Sequence, residues 1–215
     1  MRPMRTGLFG GTFNPIHNGH IETIRFVINA FNLDRVLFIP SAQPPHKPGA
    51  MLAPAQDRFD LVQLALENEP RCSASDIELK RLGPSFTIDT IRHVIEEEHG
   101  LYYLIVGSDA FFDMGSWKDY QSIFRLIHII VMQRMDFTPP MNKVTEFIHQ
   151  TISSHYTLKN DHFEHPEMKS IYVCNTPKIA ISSTQIRDRL MNKDPVAPYV
   201  PKACKDLIQR KGLYQ

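Results

Sequence analysis

Cysteine is scarce in this 215-residue chain: Cys72, Cys174 and Cys204 stand far apart and form no C-x-x-C pair. That spacing argues against a disulfide framework or a zinc ribbon, and three reduced thiols in a reducing compartment are expected. An excess of one charge is also missing. Lys and Arg number 24 against 23 Asp and Glu, a net charge of +1, so no broad basic field points to nucleic acid or an anionic membrane as partner. Small anionic ligands need only a local basic pocket. Long apolar runs are lacking as well: the first, in "TGLFG", is short and broken by glycine, unlike a signal peptide or a membrane span. A cytoplasmic protein is expected. Neither G-x-x-x-x-G-K-[ST] nor G-x-G-x-x-G occurs, which removes the support for a P-loop kinase or a dinucleotide-dependent oxidoreductase.

What is present is an ordinary globular balance, 42% apolar and 22% charged residues, enough for a single domain with a substantial core. Short apolar runs alternate with helical patterns. "TGLFG" (6–10), "RVLFIP" (35–40), "YYLIVG" (102–107), "IHIIVM" (127–132) and "SIYVC" (170–174) have the length and composition of buried strands. Helical spacing appears in Ile21, Ile24, Val27, Ile28 and Phe31, then in Phe59, Val62, Ala65 and Leu66, then in Ile88, Ile91 and Ile95. The alternation predicts an α/β fold, a doubly wound parallel sheet with right-handed crossovers. A C-terminal helical part is expected over 182–215. Five prolines in 40–54 make that stretch a loop beyond the second strand, where ligands of open α/β sheets bind. The polar stretch around 138–169, with His149, His155, His162 and His165, fits no metal-ligand spacing and reads as a solvated helix-and-loop insertion.

Two stretches carry the chemistry. In "GLFGGTFNPIHNGH" (7–20) an apolar strand ends in glycines, with Gly10 and Gly11 placed to make the turn. Thr12 and its neighbours can then aim N–H groups at an anion, and His20 falls in the first turn of a helix. His17 and His20 are donors suited to phosphoryl oxygens, although two histidines near a turn also occur as plain surface groups. In "ISSTQIRDRL" (181–190) Ser182 and Gln185 have capping-box spacing, which predicts a helix start with hydroxyls at its mouth. Arg187 and Arg189 in the first turns oppose the helix dipole unless an anion sits there too; the plain alternative is a capped amphipathic helix with exposed arginines. Together the two helix mouths suggest a polyphosphate between them. Gly107, Ser108 and Asp109 follow a central strand, where a carboxylate can accept from ribose hydroxyls. Thr87 is expected as a helix N-cap. Trp117, the only tryptophan, lies in a polar loop.

G-G-T-F-x-P-x-H-x-G-H at 10–20 and I-S-S-T-x-I-R at 181–187 resemble the paired signatures of the nucleotidyltransferase superfamily of adenylyl- and cytidylyltransferases. "IPSAQPPHK", "LKRLGPSFTIDT", "IVGSDAFFDMGSW" and the ending "GLYQ" are similar to bacterial nicotinate mononucleotide adenylyltransferases. The likeness covers nearly the whole chain, least at 138–169. It implies a Rossmann-like nucleotidyltransferase topology. The implied reaction joins ATP and nicotinate mononucleotide into nicotinate adenine dinucleotide (deamido-NAD) and pyrophosphate, with Mg²⁺ carried by the ATP phosphates and no protein metal site. By the same resemblance His17, His20 and Arg187 are catalytic. Gly10, Gly11, Thr12, Phe13, Gly107, Asp109, Ser182, Ser183 and Thr184 bind ATP. The mononucleotide is assigned His46, Lys47, Thr87, Trp117, Lys118 and Arg134. The family pattern has Asp where this chain has Asn14; Asn can cap the same turn, and metal affinity is the property this change bears on. The alternatives are a phosphopantetheine adenylyltransferase, which is usually shorter and usually carries Thr in place of His17, and a non-catalytic nucleotide sensor. A homo-oligomer is left open.

Overall fold

Strands and helices alternate along the chain because each apolar run is punctuated by a cap or a turn. The computed structural model describes residues 2–44, 52–134, 141–177 and 181–215. In chain order the elements are β1 (Arg5–Gly11), α1 (Asn18–Ala30), β2 (Arg35–Pro40), α2 (Ala55–Ala65), β3 (Cys72–Ala74), α3 (Ile77–Lys80) and α4 (Thr87–Glu97). Next come β4 (Leu101–Gly107), α5 (Ser108–Asp113), a short 3₁₀ turn (Met114–Ser116), α6 (Tyr120–Leu126) and β5 (His128–Arg134). After them lie α7 (Met141–Phe147), a π-helical turn (Ile148–Ile152), β6 (Thr157–Lys159), β7 (His162–Glu164), β8 (Ile171–Thr176), α8 (Ser183–Met191) and α9 (Lys202–Lys211).

The sheet has eight strands in the order β3-β2-β1-β4-β5-β8-β7-β6. The six from β3 to β8 are parallel, and β7 and β6 add antiparallel pairs at one edge. The doubly wound parallel sheet is as expected, with an antiparallel pair added at this edge. From β1 the chain moves outward to β2 and β3, then returns to β4 on the other side of β1. That reversal opens a crevice at the carboxyl ends of β1 and β4, the place where such sheets take ligands.

Both faces of the sheet are covered, so the strands are apolar on both sides. Phe9, Phe38, Ile105 and Ile130 pack with Ile24, Val27, Leu61, Val62 and Ile208 on one face. Their strand neighbours Leu8, Ile39, Leu104 and Val131 pack with Ile88, Ile91, Phe111 and Phe124 on the other. The period-two alternation of side chains divides one apolar run between two cores.

The stretch around 138–169 is a correction. Most of its described residues are exposed and it opens with a helix, as expected, but Val144, Ile148, Ile152, Tyr156 and Phe163 are buried in the second core, and a hairpin stands where a loop was expected. Its apolar residues recur every four positions and fix one face of a helix, a signal diluted by the many polar residues between them. The β6–β7 hairpin then extends the sheet along β8. No group of three or more His, Cys, Asp or Glu among the described residues could hold a metal ion. His165 instead pairs through Nε2 with Ser153 Oγ, and His162 lies between Asp161 and Glu164. No helix of the described residues is long and apolar enough to cross a membrane.

Candidate active site

Gly10 and Gly11 do not make the expected turn. They remain in β1, in register with Ile39 and Pro40 of β2, and the Ser41 N–H donates to the Gly11 carbonyl at 2.9 Å. Their value is close approach. A Cβ on Gly10 would meet no atom within 4 Å, since it would project into a cavity. The chain reverses over residues 12–16 instead, where Phe13 takes a positive φ of 46°.

That loop delivers His17 to the N-cap of α1 and His20 to its third position. The His17 N–H donates to His20 Nδ1 at 3.3 Å, and the two imidazoles lie with centroids 3.7 Å apart, tilted by 30°. Phe13 meets the His20 ring edge-on at 5.3 Å. With Nδ1 accepting, a neutral His20 carries its proton on Nε2, so the ring is set to donate from its far side.

The mouth of α8 is fastened to the same loop. Ser182 caps the helix: its Oγ accepts from Gln185 N–H at 3.2 Å while its own N–H donates to Gln185 Oε1 at 2.9 Å. This is the capping box expected from spacing. Ser183 Oγ donates to the Pro15 carbonyl at 2.9 Å, and Arg187 donates to the Asn14 carbonyl at 2.8 Å and to Thr184 Oγ1 at 3.3 Å. Asn14 Oδ1 accepts from the Ala53 N–H at 3.1 Å. An aspartate would accept that bond equally well, so Asn14 keeps this link of the loop to the start of α2.

Sequence reasoning missed Arg58. It is fully buried, and it donates to the carbonyls of Ala53 (2.9 Å), Thr12 (2.8 Å), Ser41 (2.6 Å) and Ala42 (3.2 Å). Burial lowers its pKa from the usual guanidinium value. One side chain thus ties the loop after β1, the exit of β2 and the approach to α2. An arginine in the first turn of an amphipathic helix, on its apolar side with Phe59, Leu61 and Val62, was the available signal.

Two cavities flank the carboxyl end of β1. The polar one, about 260 Å³, is lined by His17, His20, Gly107, Asp109, Ser182 and Ser183 among others. The apolar one, about 250 Å³, is bounded by Gly10 and Gly11, the apolar residues Leu8, Leu104 and Val106, and Thr87, Trp117 and Lys118 at its rim. Donors converge on the first; the second suits a flat ring.

Residues 8–189 match the family model described as cytidylyltransferase-like. The chain is 34% identical over 215 residues to a protein of Desulfitobacterium hafniense (strain Y51) named "Probable nicotinate-nucleotide adenylyltransferase", covering 99% of this chain and 97% of that one. A protein of the same name from Geotalea uraniireducens is 35% identical over 219 residues, covering 98% of each. The chain belongs to the nicotinate-nucleotide adenylyltransferase family. The fold agrees: a Plasmodium falciparum nicotinic acid mononucleotide adenylyltransferase complexed with NaAD superposes with a TM-score of 0.75 at 18% identity, over 98% of this chain and 97% of that one.

The residues that resemblance to this family assigns to the site divide between the two cavities. His17, His20, Gly107, Asp109, Ser182 and Ser183 gather at the polar cavity, and Thr87, Trp117 and Lys118 at the apolar one. Gly10 and Gly11, assigned to ATP, line the apolar cavity. Phe13 is buried behind His20, and the Thr12 carbonyl is held by Arg58. Thr184 and Arg187 lie beside the polar cavity and hold its wall together. Thr87 is not the N-cap of α4. Phe86 is, because its carbonyl takes the first bonds, from Asp89 and Thr90; Thr87 opens the first turn, and its N–H and that of Ile88 precede the first of those bonds. Lys118 Nζ is engaged by Asp89 at 3.0 Å and lies 4.7 Å from the centre of the Phe86 ring. His46 and Lys47 and the side chain of Arg134 lie outside the described residues.

Proposed function

We infer that this chain transfers the adenylyl group of ATP to nicotinate mononucleotide, giving nicotinate adenine dinucleotide and pyrophosphate. The observation that carries this reading is the pairing of a donor-rich cavity with an apolar, tryptophan-rimmed one across the end of β1. ATP occupies the polar cavity, with Asp109 accepting from its ribose and the mouth of α8 facing its phosphates. The pyridine ring enters the apolar cavity beside Trp117, and its carboxylate meets the first-turn N–H groups of α4 at Thr87 and the N–H of Lys118. A nicotinamide group would set its own donor against those donors, which favours the acid over the amide.

The chemistry asks little of the protein. An oxygen of the mononucleotide 5′-phosphate, already ionised near neutral pH, forms a bond to the α-phosphorus; the bond from that phosphorus to the α,β-bridging oxygen breaks, and pyrophosphate leaves with the electron pair. No base is needed, so catalysis consists of alignment and charge neutralisation. His20 donates from Nε2 to the reacting phosphoryl group, held there by the His17 N–H, and His17 meets the neighbouring phosphates. Arg187 holds the loop that presents both histidines. Mg²⁺ carried on the ATP phosphates would supply further charge neutralisation there.

Pyrophosphate release with ATP and Mg²⁺, offering nicotinate mononucleotide, nicotinamide mononucleotide and phosphopantetheine in parallel, tests this reading. Turnover on the nicotinate compound is expected, with kcat lowered about 10²–10³-fold in His20→Ala. Turnover on phosphopantetheine in preference would overturn the substrate. Silence on all three with ATP still bound would make the protein a nucleotide sensor.

A further inference from the structure

The wall of the apolar cavity contains one carboxyl group, on Glu78 of α3. It is 7% exposed. Its Oε1 accepts from Thr90 Oγ1 at 2.7 Å, and that hydroxyl in turn accepts from Arg81 at 3.2 Å. Among the described residues, Oε2 meets no hydrogen-bond donor and is shut off from solvent. The wall is mainly apolar, with Leu8, Ile39, Leu104 and Val106, and its uncharged polar side chains are hydroxyls, those of Ser41, Ser85, Thr87, Thr90 and Ser116. The other charged residue lining the cavity, Lys118, spends its ammonium on Asp89. Two cations act on Glu78 without bonding it: Arg81, through the Thr90 hydroxyl, and the buried Arg58, whose own hydrogen bonds go to carbonyl groups elsewhere.

A half-satisfied buried carboxyl group costs stability, since a charge without donors keeps little of its hydration energy. The cost is offset if the ligand itself brings a positive charge into the cavity. The pyridine ring of an N-linked mononucleotide does so: its ring nitrogen is quaternary and positive at every pH, with no proton to lose or to donate. Its recognition therefore needs a counter-charge through space and no hydrogen bond, which is what a buried oxygen without a donor supplies.

We propose that Glu78 is a specificity-determining residue, providing the negative counter-charge to the pyridinium ring of the mononucleotide and so selecting the oxidised ring over a neutral dihydropyridine. This rests on the reading of the apolar cavity as the mononucleotide site. Thr90 is then a positioning residue that holds the carboxylate against the wall. The selection acts on the ring, separately from the N–H groups that select its carboxylate.

The test is equilibrium binding of nicotinate mononucleotide and of its 1,4-dihydro form, neutral at the ring, to the wild-type protein and to Glu78→Gln. The wild type is expected to bind the oxidised form about tenfold more tightly, as for a partly screened charge pair. In Glu78→Gln that preference disappears through loss of affinity for the oxidised form, while the dihydro form binds both proteins within about twofold. Equal affinity of the wild type for both ligands overturns the proposal without any variant. So does an equal loss of both in Glu78→Gln, which would make the residue structural, or no change in either. A wild type that binds neither ligand contradicts the mononucleotide site itself and the proposal with it.

Discussion

Two side chains show why single residues matter more here than their number suggests. His20 is useful because a backbone N–H occupies its Nδ1 and Phe13 packs against its edge, so the ring reaches the polar cavity in one orientation. Arg58 acts at a distance, through four carbonyl groups on three segments. Its removal leaves those buried acceptors unpaired, each of which carries a desolvation penalty. Arg58→Ala is expected to lose about 3 kcal/mol of stability in denaturant unfolding. Arg58→Lys, with one compact ammonium in place of a planar fork, should still fold but raise KM for the mononucleotide more than KM for ATP, because Ser41 and Gly11 line the apolar cavity proposed for the mononucleotide. An equal rise in both constants would mean that Arg58 holds the fold and not that cavity.

The elements were unequally legible. Five strands of the parallel sheet and the faces of α1, α2 and α4 follow from apolar spacing alone, because residues buried on both faces leave unbroken apolar runs; β3, three residues long and only partly buried, left no such run. The hairpin β6–β7 and the face of α7 did not follow, since few of their residues are apolar and only the pattern, not the density, marks the buried face. Phe163→Ala tests that correction: with a fully buried ring, it is expected to cost about 3–5 kcal/mol in thermal or denaturant unfolding. A loss below 1 kcal/mol would return the segment to the solvent. The start of the sheet carries a second test. His128 stacks on Tyr103 and accepts the Ser170 N–H at 3.2 Å, and burial holds its pKa below the ordinary imidazole value. Its folded form therefore binds fewer protons than its unfolded form, so its contribution is complete above the unfolded value and is lost as pH falls through the folded one. His162, across Tyr172, has the opposite sign: its bond to Asp161 raises its pKa, so its contribution is present below the unfolded value and lost as pH rises through the folded one. The melting temperature of His128→Phe should fall less steeply than that of the wild type on acidification below neutral pH. An unchanged acid slope would remove His128 from the account.

At the scale of the molecule, the strand order decides the rest. Reversal between β1 and β4 opens the crevice, and the loops that leave β1, β2 and β4 divide it into two chambers. The motifs in the sequence named residues in both, about half of those lining the polar chamber and few of those lining the apolar one, because helix starts carry recognisable caps and histidines while an apolar wall carries none. What they could not show is which chamber each residue borders: Gly10 and Gly11 line the apolar one, a Cβ on Gly11 being aimed at Phe13, and Glu78 carried no motif at all. Division into two chambers is the central claim, and calorimetric binding tests it most directly. A non-cleavable ATP analogue and nicotinate mononucleotide would each be titrated into the wild type, Asp109→Ala and Trp117→Ala. Loss of a charge-assisted hydrogen bond in Asp109→Ala should weaken the ATP analogue about tenfold and leave the mononucleotide within about twofold. Trp117→Ala should do the reverse, through loss of a stacking surface. Equal weakening of both ligands by either variant, or the opposite pattern, would contradict the account.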